Sequence, residues 1–205
     1  MGLHQRDSTH SQRSGIGAWL LPIAALSVAI IFAIVGDTGR IWLSYDRPAI
    51  AGGEIWRLLS GHFVHLGISH LIWDAAGLLL IWFLVAPSFS REQWLVVSLA
   101  TVVGIDLGFW FLEPNLTWYV GLSGLAHGLL AAGVVGCLNS GRVDMWVLCV
   151  ALIAKLAYET VVGPLPGSEQ SSGGTVIVAA HLYGAIAGAI TAGVIMIRVR
   201  HQASI

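Results

Sequence analysis

The chain has 205 residues, of which 56% are hydrophobic and only 10% charged, with a formal net charge of −1 and a mean hydropathy of +0.80. Soluble domains carry about 25% charged residues, so a soluble enzyme and a disordered protein are both excluded, and the near-zero net charge excludes a broad basic surface for nucleic acid. At roughly 20 residues per membrane helix, the length holds about six spans in one membrane domain and little else.

In chain order, a polar tail over 1–16 precedes a first apolar span at about 17–35. Its uncharged run exceeds the roughly 7–15 residues of a cleaved leader's core, so the span is expected to be retained. The connection 36–65 carries Trp42, Tyr45, Pro48 and Trp56, aromatics suited to the water–lipid interface. Further spans are predicted at about 66–86, 91–112, 119–138, 144–163 and 175–197, followed by a tail over 198–205. The segment PLPGSEQSSGG at 164–174 has the composition of a mobile loop. With both tails in the cytoplasm, Arg6, Arg13, Arg91, Arg142, Arg198 and Arg200 lie inside, and Arg40, Arg47 and Arg57 lie outside in the first connection. The positive-inside rule favours that orientation. Cys137 and Cys149 fall in apolar stretches and are expected to be free, buried thiols. There is no internal repeat.

Ionisable groups inside spans are costly and usually line a water-filled cavity. Here they are His70, Asp74, Asp106, His127, Lys155, Glu159 and His181. In this orientation all lie in or near the outer half of the membrane, which predicts a polar cavity open to the non-cytoplasmic side. The structural alternative is a scatter of polar residues that glue helices together.

The fourth span opens with Gly121-Leu122-Ser123-Gly124-Leu125-Ala126-His127-Gly128. Ser123 is about four residues into that span and His181 about six into the last, so both lie roughly 6–9 Å deep at 1.5 Å per residue. Gly124, Gly128 and Ala132 repeat every four residues, as do Gly184, Gly188 and Ala192. Such stripes of small residues let helix backbones approach closely. If the stripes face each other, the Ser123 hydroxyl and the His181 imidazole come within hydrogen-bond reach, as a serine nucleophile and its base require. His70 sits at similar depth, with Asp74 one turn on and on the same face.

Four pieces together resemble the rhomboid intramembrane serine proteases: Trp56-Arg57, His65-x4-His70-x3-Asp74, Gly121-Leu122-Ser123-Gly124 and His181-x2-Gly184. With six spans, the resemblance covers about 17–197 and implies an all-α, six-helix rhomboid-like membrane bundle. The short chain and the strings GLSGLAHG and AHLYGAIAG look most like the rhombosortases. The resemblance implies a two-residue mechanism, with Ser123 as nucleophile and His181 as general base, and no carboxylate. It implies that His70 helps the Ser123 N–H hold the oxyanion, and that His65 shapes the site. Two positions depart from the usual pattern. Asp74 stands where many rhomboids have an asparagine, and is expected either to be protonated and donating or to be ionised and orienting His70. His127 stands where many have a tyrosine, and is expected to stack on His181 or bond to it.

The implied substrates are exported bacterial proteins with a C-terminal Gly-Gly motif, one transmembrane helix and a basic tail, cleaved at the outer face of the inner membrane. Hydrolysis and transfer to an amine are equally compatible with the residues. No cofactor is expected. Nor is a metal, since the serine motif accounts for the histidines and no H-E-x-x-H spacing occurs. His62 is expected to be interfacial. Arg57 is either an anchor of the first connection or an ordinary interface arginine. Lys155 and Glu159, at i and i+4, read as a pair that neutralises itself, with contact to a polar substrate tail or a proton path as the alternative. Asp106 should cap a polar neighbour. A small transporter would need polar residues along the whole path, and the inner half here is apolar. A catalytically dead client-binding protein usually lacks the serine or the histidine, and this chain keeps both.

Overall fold

In a computed structural model, residues 16–138 and 140–204 are described, and they are mostly helical. The tail with Arg6 and Arg13 lies outside the described residues. Helix α1 (Leu20–Leu43) runs beyond residue 35, where hydropathy ends the span. Gly36 interrupts it at φ 71, ψ −151, a conformation open to glycine because it has no Cβ.

The connection expected over 36–65 is folded. It contains β1 (Tyr45–Asp46), α2 (Arg47–Ala51) and α3 (Arg57–Ser60). The Asp46 side chain caps α2 by accepting the Ala49 N–H at 3.0 Å. Arg57 is buried: its guanidinium holds Glu54 at 2.6 Å and donates to the carbonyls of Ile41 and Ser44. It is thus a tie between the end of α1 and the start of α3. His62 is also buried, contrary to the interfacial expectation, and its Nε2 meets Asp106 Oδ1 at 3.2 Å. An imidazole with a carboxylate partner can leave water, whereas an unpaired one would pay for it.

The remaining helices are α4 (Ile68–Val85), α5 (Arg91–Leu112), α6 (Ser123–Cys137), α7 (Val143–Val161), α8 (Ser168–Ser172) and α9 (Val178–Ala203). A short strand β2 (Trp118–Tyr119) precedes α6 and pairs antiparallel with β1, Tyr45 opposite Tyr119. Helix α5 begins with a reciprocal cap: the Ser90 hydroxyl takes the Gln93 N–H, and the Gln93 side chain takes the Ser90 N–H. It ends on Arg47, whose guanidinium donates to the carbonyls of Phe109, Trp110, Glu113 and Leu116. A cation that satisfies the free carbonyls at a helix C-terminus also opposes the helix dipole. Helix α9 carries on through Arg198 and Arg200 to Ala203, so most of the segment expected as a tail is helical.

By length and composition, four helices among the described residues can cross a membrane: α1, α4 with the turn after it, α5 and α9. Helix α6 has 15 residues, about 22 Å at 1.5 Å per residue, and α7 carries Asp144, Lys155 and Glu159. The lipid-facing surface is plain on α5, where Leu95, Leu99, Val103, Leu107 and Phe111 form an exposed stripe. Such a stripe is what a helix against acyl chains presents, and not one against water.

Helix α6 is the axis of the bundle, apolar and buried on most of its surface. It packs chiefly on α9, and also on α4, α5 and α7. A Cβ placed on Gly184 would lie 2.2 Å from the Gly124 carbonyl oxygen. The segment 164–174 differs from the mobile loop expected. It contains the single-turn helix α8, bracketed by Gly167 (φ 84) and Gly173 (φ 80), and docks on the start of α4, where the Ser69 hydroxyl donates to the Ser171 carbonyl at 2.6 Å. Cys137 and Cys149 are free thiols; Cys137 is buried as expected, whereas Cys149 on α7 is only half-buried.

Candidate active site

Ser123 is the first residue of α6 and not a turn inside it, as a span starting at 119 implied. Residues 118–119 are held extended by β1, and Gly121 adopts φ 131, so the chain turns into a helix only at Ser123. The Tyr119 hydroxyl donates to the Gly121 carbonyl at 2.6 Å, and the Gly121 N–H reaches the Gly61 carbonyl at 3.2 Å. These bonds fix the turn. As a residue in the first turn, Ser123 has a backbone N–H with no acceptor inside the helix.

The Ser123 Oγ lies 2.9 Å from His181 Nε2, across the α6–α9 contact. His181 sits in the first turn of α9 and is 5% exposed. Its other nitrogen, Nδ1, faces Glu159 Oε2 on α7 at 2.9 Å. The same Glu159 oxygen holds Lys155 Nζ at 2.7 Å, and Lys155 Nζ is 3.4 Å from His181 Nδ1. The His127 ring stacks on that of His181, with centroids 4.1 Å apart and planes 17° from parallel. His127 Nδ1 donates to the Ser123 carbonyl at 2.7 Å.

The face toward α4 is organised by one oxygen. Asp74 Oδ2 accepts the Leu122 N–H at 2.9 Å, meets His65 Nε2 at 3.1 Å, and lies 3.4 Å from His70 Nε2. His70 Nδ1 takes the Leu66 N–H at 3.4 Å, so the ring's proton belongs on Nε2. A Cβ on Gly121 would sit 3.2 Å from the His70 ring, so the turn before the serine and this ring are in direct contact. Asp106 stands apart. It pairs with His62, whose ring packs on the edge of Tyr119, and so does not join the cluster around Ser123.

The arrangement presents a hydroxyl on a ring nitrogen, a backbone N–H that the helix leaves unused beside it and a histidine N–H close to the same turn. That is the equipment for acyl transfer. Residues 52–198, well over half of the chain, match the family described as Rhomboid domain. The chain belongs to the rhomboid family. Among similar proteins are the rhomboid protease GlpG of Salmonella choleraesuis (strain SC-B67), 28% identical over 125 residues, 60% of this chain and 44% of that protein. The rhomboid protease GlpG of Salmonella newport (strain SL254) is 26% identical over the same shares. This rhomboid spans less than half the length of the curated relatives it matches.

Within this rhomboid, Ser123, His127, His181, His70 and Asp74 come together, with His65 behind Asp74. The contact of Glu159 with His181 is one that sequence reasoning did not find. A signal existed: a glutamate in an apolar span must have partners, and one lysine leaves most of its acceptor capacity unused. Among the described residues, His127, Glu159 and His181 also offer nitrogen and oxygen atoms within 4.8 Å of one another. Both ring nitrogens of His181 are engaged, one by Ser123 and one by Glu159.

Proposed function

We propose that the protein is an intramembrane serine endopeptidase of the rhombosortase type, acting on transmembrane substrates. The observation that carries this reading is the 2.9 Å contact between Ser123 Oγ and His181 Nε2. Ser123 Oγ attacks the substrate carbonyl carbon as its proton passes to His181 Nε2. The oxyanion is met by the Ser123 N–H and by His70, whose Nε2 proton turns from Asp74 to the new charge. Such donors are each worth about 3–4 kcal/mol in the transition state. Collapse breaks the C–N bond, and His181 gives its proton to the leaving amine. A water then attacks the acyl-enzyme, with His181 again the base, and Ser123 recovers its proton. Asp74 serves as the acceptor that orients His65, His70 and the Leu122 amide.

The substrates we infer carry a C-terminal Gly-Gly motif, a transmembrane helix and a basic tail. Glycine unwinds readily and fits a narrow site, and a helical peptide bond must be unwound to be attacked because its polar groups are otherwise bonded within the helix. The protein would sit in a bacterial inner membrane with six spans, both ends cytoplasmic and the serine toward the outer face. An amine replacing water in the last step would give transpeptidation.

The test is labelling with a fluorophosphonate in the membrane, which needs an activated serine and no knowledge of the substrate. Wild type should label, and Ser123→Ala and His181→Ala should not. Folded wild type without label overturns the reading.

A further inference from the structure

We propose that Glu159 is a positioning residue that sets the tautomer of His181, making this active site a Ser123–His181–Glu159 relay in which Lys155 holds the carboxylate in place. The inference rests on the protease reading above and adds a residue to it. Glu159 is 4% exposed on α7, and a buried carboxylate in an apolar segment is kept only when its oxygens are used. A pair built merely to cancel charge would need Lys155 alone. Here a single oxygen, Oε2, takes both Lys155 Nζ at 2.7 Å and His181 Nδ1 at 2.9 Å.

The polarity of that second contact decides the chemistry. A carboxylate accepts, so Nδ1 must carry the proton, and Nε2 is left with a lone pair for the Ser123 hydroxyl. Lys155 Nζ, 3.4 Å from Nδ1, pulls the other way. An ammonium can only donate, so if it were the partner of Nδ1 it would favour the proton on Nε2. That tautomer presents an N–H to Ser123 and cannot take its proton. Glu159 therefore outcompetes Lys155 for the ring, and its charge offsets the imidazolium formed in each half-reaction. The other groups that face His181 are Ser123 and His127 on α6, and His70 beside Asp74 on α4. Among the described residues, the ring hydrogen bonds of His181 run to Ser123 at Nε2 and to Glu159 and Lys155 at Nδ1.

The experiment is the rate of fluorophosphonate labelling against pH in detergent micelles, with Ser123→Ala as the baseline and thermal unfolding as the check on folding. In Glu159→Gln, Lys155 claims the amide oxygen and turns the NH2 to Nδ1, which fixes the wrong tautomer. Labelling should fall about 10²-fold or more, and the acid limb should move to lower pH, because the imidazolium has lost its anion. In Lys155→Met the limb should move to higher pH, because a cation beside the ring is gone. The double variant should label faster than Glu159→Gln by about tenfold, since the freed amide can flip and accept from Nδ1. Glu159→Gln with the rate and limb of wild type overturns the inference while leaving the protease reading intact. Should Glu159→Gln not fold, an unmoved acid limb in Lys155→Met overturns it equally. Wild type that takes no label overturns the protease reading, and this inference with it.

Discussion

Gly188 lies so close to Gly128 that a Cβ on it would stand 2.1 Å from the Gly128 carbonyl oxygen. One turn nearer the site, Gly184 meets the Gly124 oxygen at 2.2 Å in the same sense. Both obstacles are backbone and cannot rotate away. Ser123 and His181 sit just beyond this contact, on opposite helices, so the α6–α9 spacing also sets the length of their hydrogen bond. Gly184→Leu should therefore cost labelling first and folding second. We expect loss of label by more than tenfold with a destabilisation of about 1–3 kcal/mol, the usual range for overpacking, read by thermal unfolding in micelles. Normal labelling by this variant would show that the helix spacing does not set the site.

Asp74 gathers the Leu122 N–H, His65 and His70 at one oxygen. Asp74→Ala strands the Leu122 N–H in a buried turn, which costs about 1–3 kcal/mol, and releases both histidines. Asp74→Asn keeps an acceptor for the amide but brings an NH2 toward rings that also donate. The expected order of labelling rate is wild type, then Asn, then Ala, with unfolding temperatures in the same order. Equal rates for all three across pH would remove Asp74 from the site.

Tyr45 is 1% exposed and its hydroxyl is buried without a hydrogen-bond partner among the described residues. Burial raises its ionisation above the usual tyrosine range; Arg47 works against this, and Asp106 adds to it. A folded state that holds the proton more tightly than the unfolded chain keeps its full stability below the unfolded value of about 10. It loses that stability as pH climbs from there through the folded value. Tyr45→Phe removes the stranded hydroxyl while keeping the ring against Phe109. It should be neutral or stabilising by up to about 1 kcal/mol at pH 7, and should flatten the decline in unfolding temperature above pH 10. A clear loss of stability at pH 7 would mean that the hydroxyl has a partner.

The parts of this site legible in sequence are those written at a fixed period along one helix. The glycine stripes are read at every fourth residue, and Ser123 and His181 each stand at the head of one. The pairing of His70 with Asp74 is likewise a one-turn spacing. What sequence did not carry is rotation of one helix against another. Glu159 and Lys155 share a face of α7, but nothing in the chain says that this face turns to His181, 22 residues on from Glu159. His62 with Asp106 is a contact across 44 positions and is invisible for the same reason. Hydropathy also misplaced the start of α6. Val120 and Leu122 are as apolar as the helix that follows, yet the β1–β2 pairing and the positive φ of Gly121 hold them out of it. That displacement matters chemically, because it makes Ser123 a first-turn residue whose N–H has no acceptor inside the helix.

His127 touches the site in two ways that substitution can separate. Its ring lies flat on His181, and its Nδ1 proton goes to the Ser123 carbonyl. His127→Phe keeps a ring to stack and loses the hydrogen bond. His127→Ala loses both and opens space beside the base. A stacked pair of rings contributes about 0.5–1.5 kcal/mol, so Phe should label faster than Ala by about twofold to tenfold. If the stack is what holds the imidazole, wild type and Phe should lie closer together than Phe and Ala. If Phe is as slow as Ala, the contribution lies in the bond to the Ser123 carbonyl, which then anchors the first turn of α6. The comparison needs only initial labelling rates at one pH above the acid limb, where His181 is unprotonated in all three proteins.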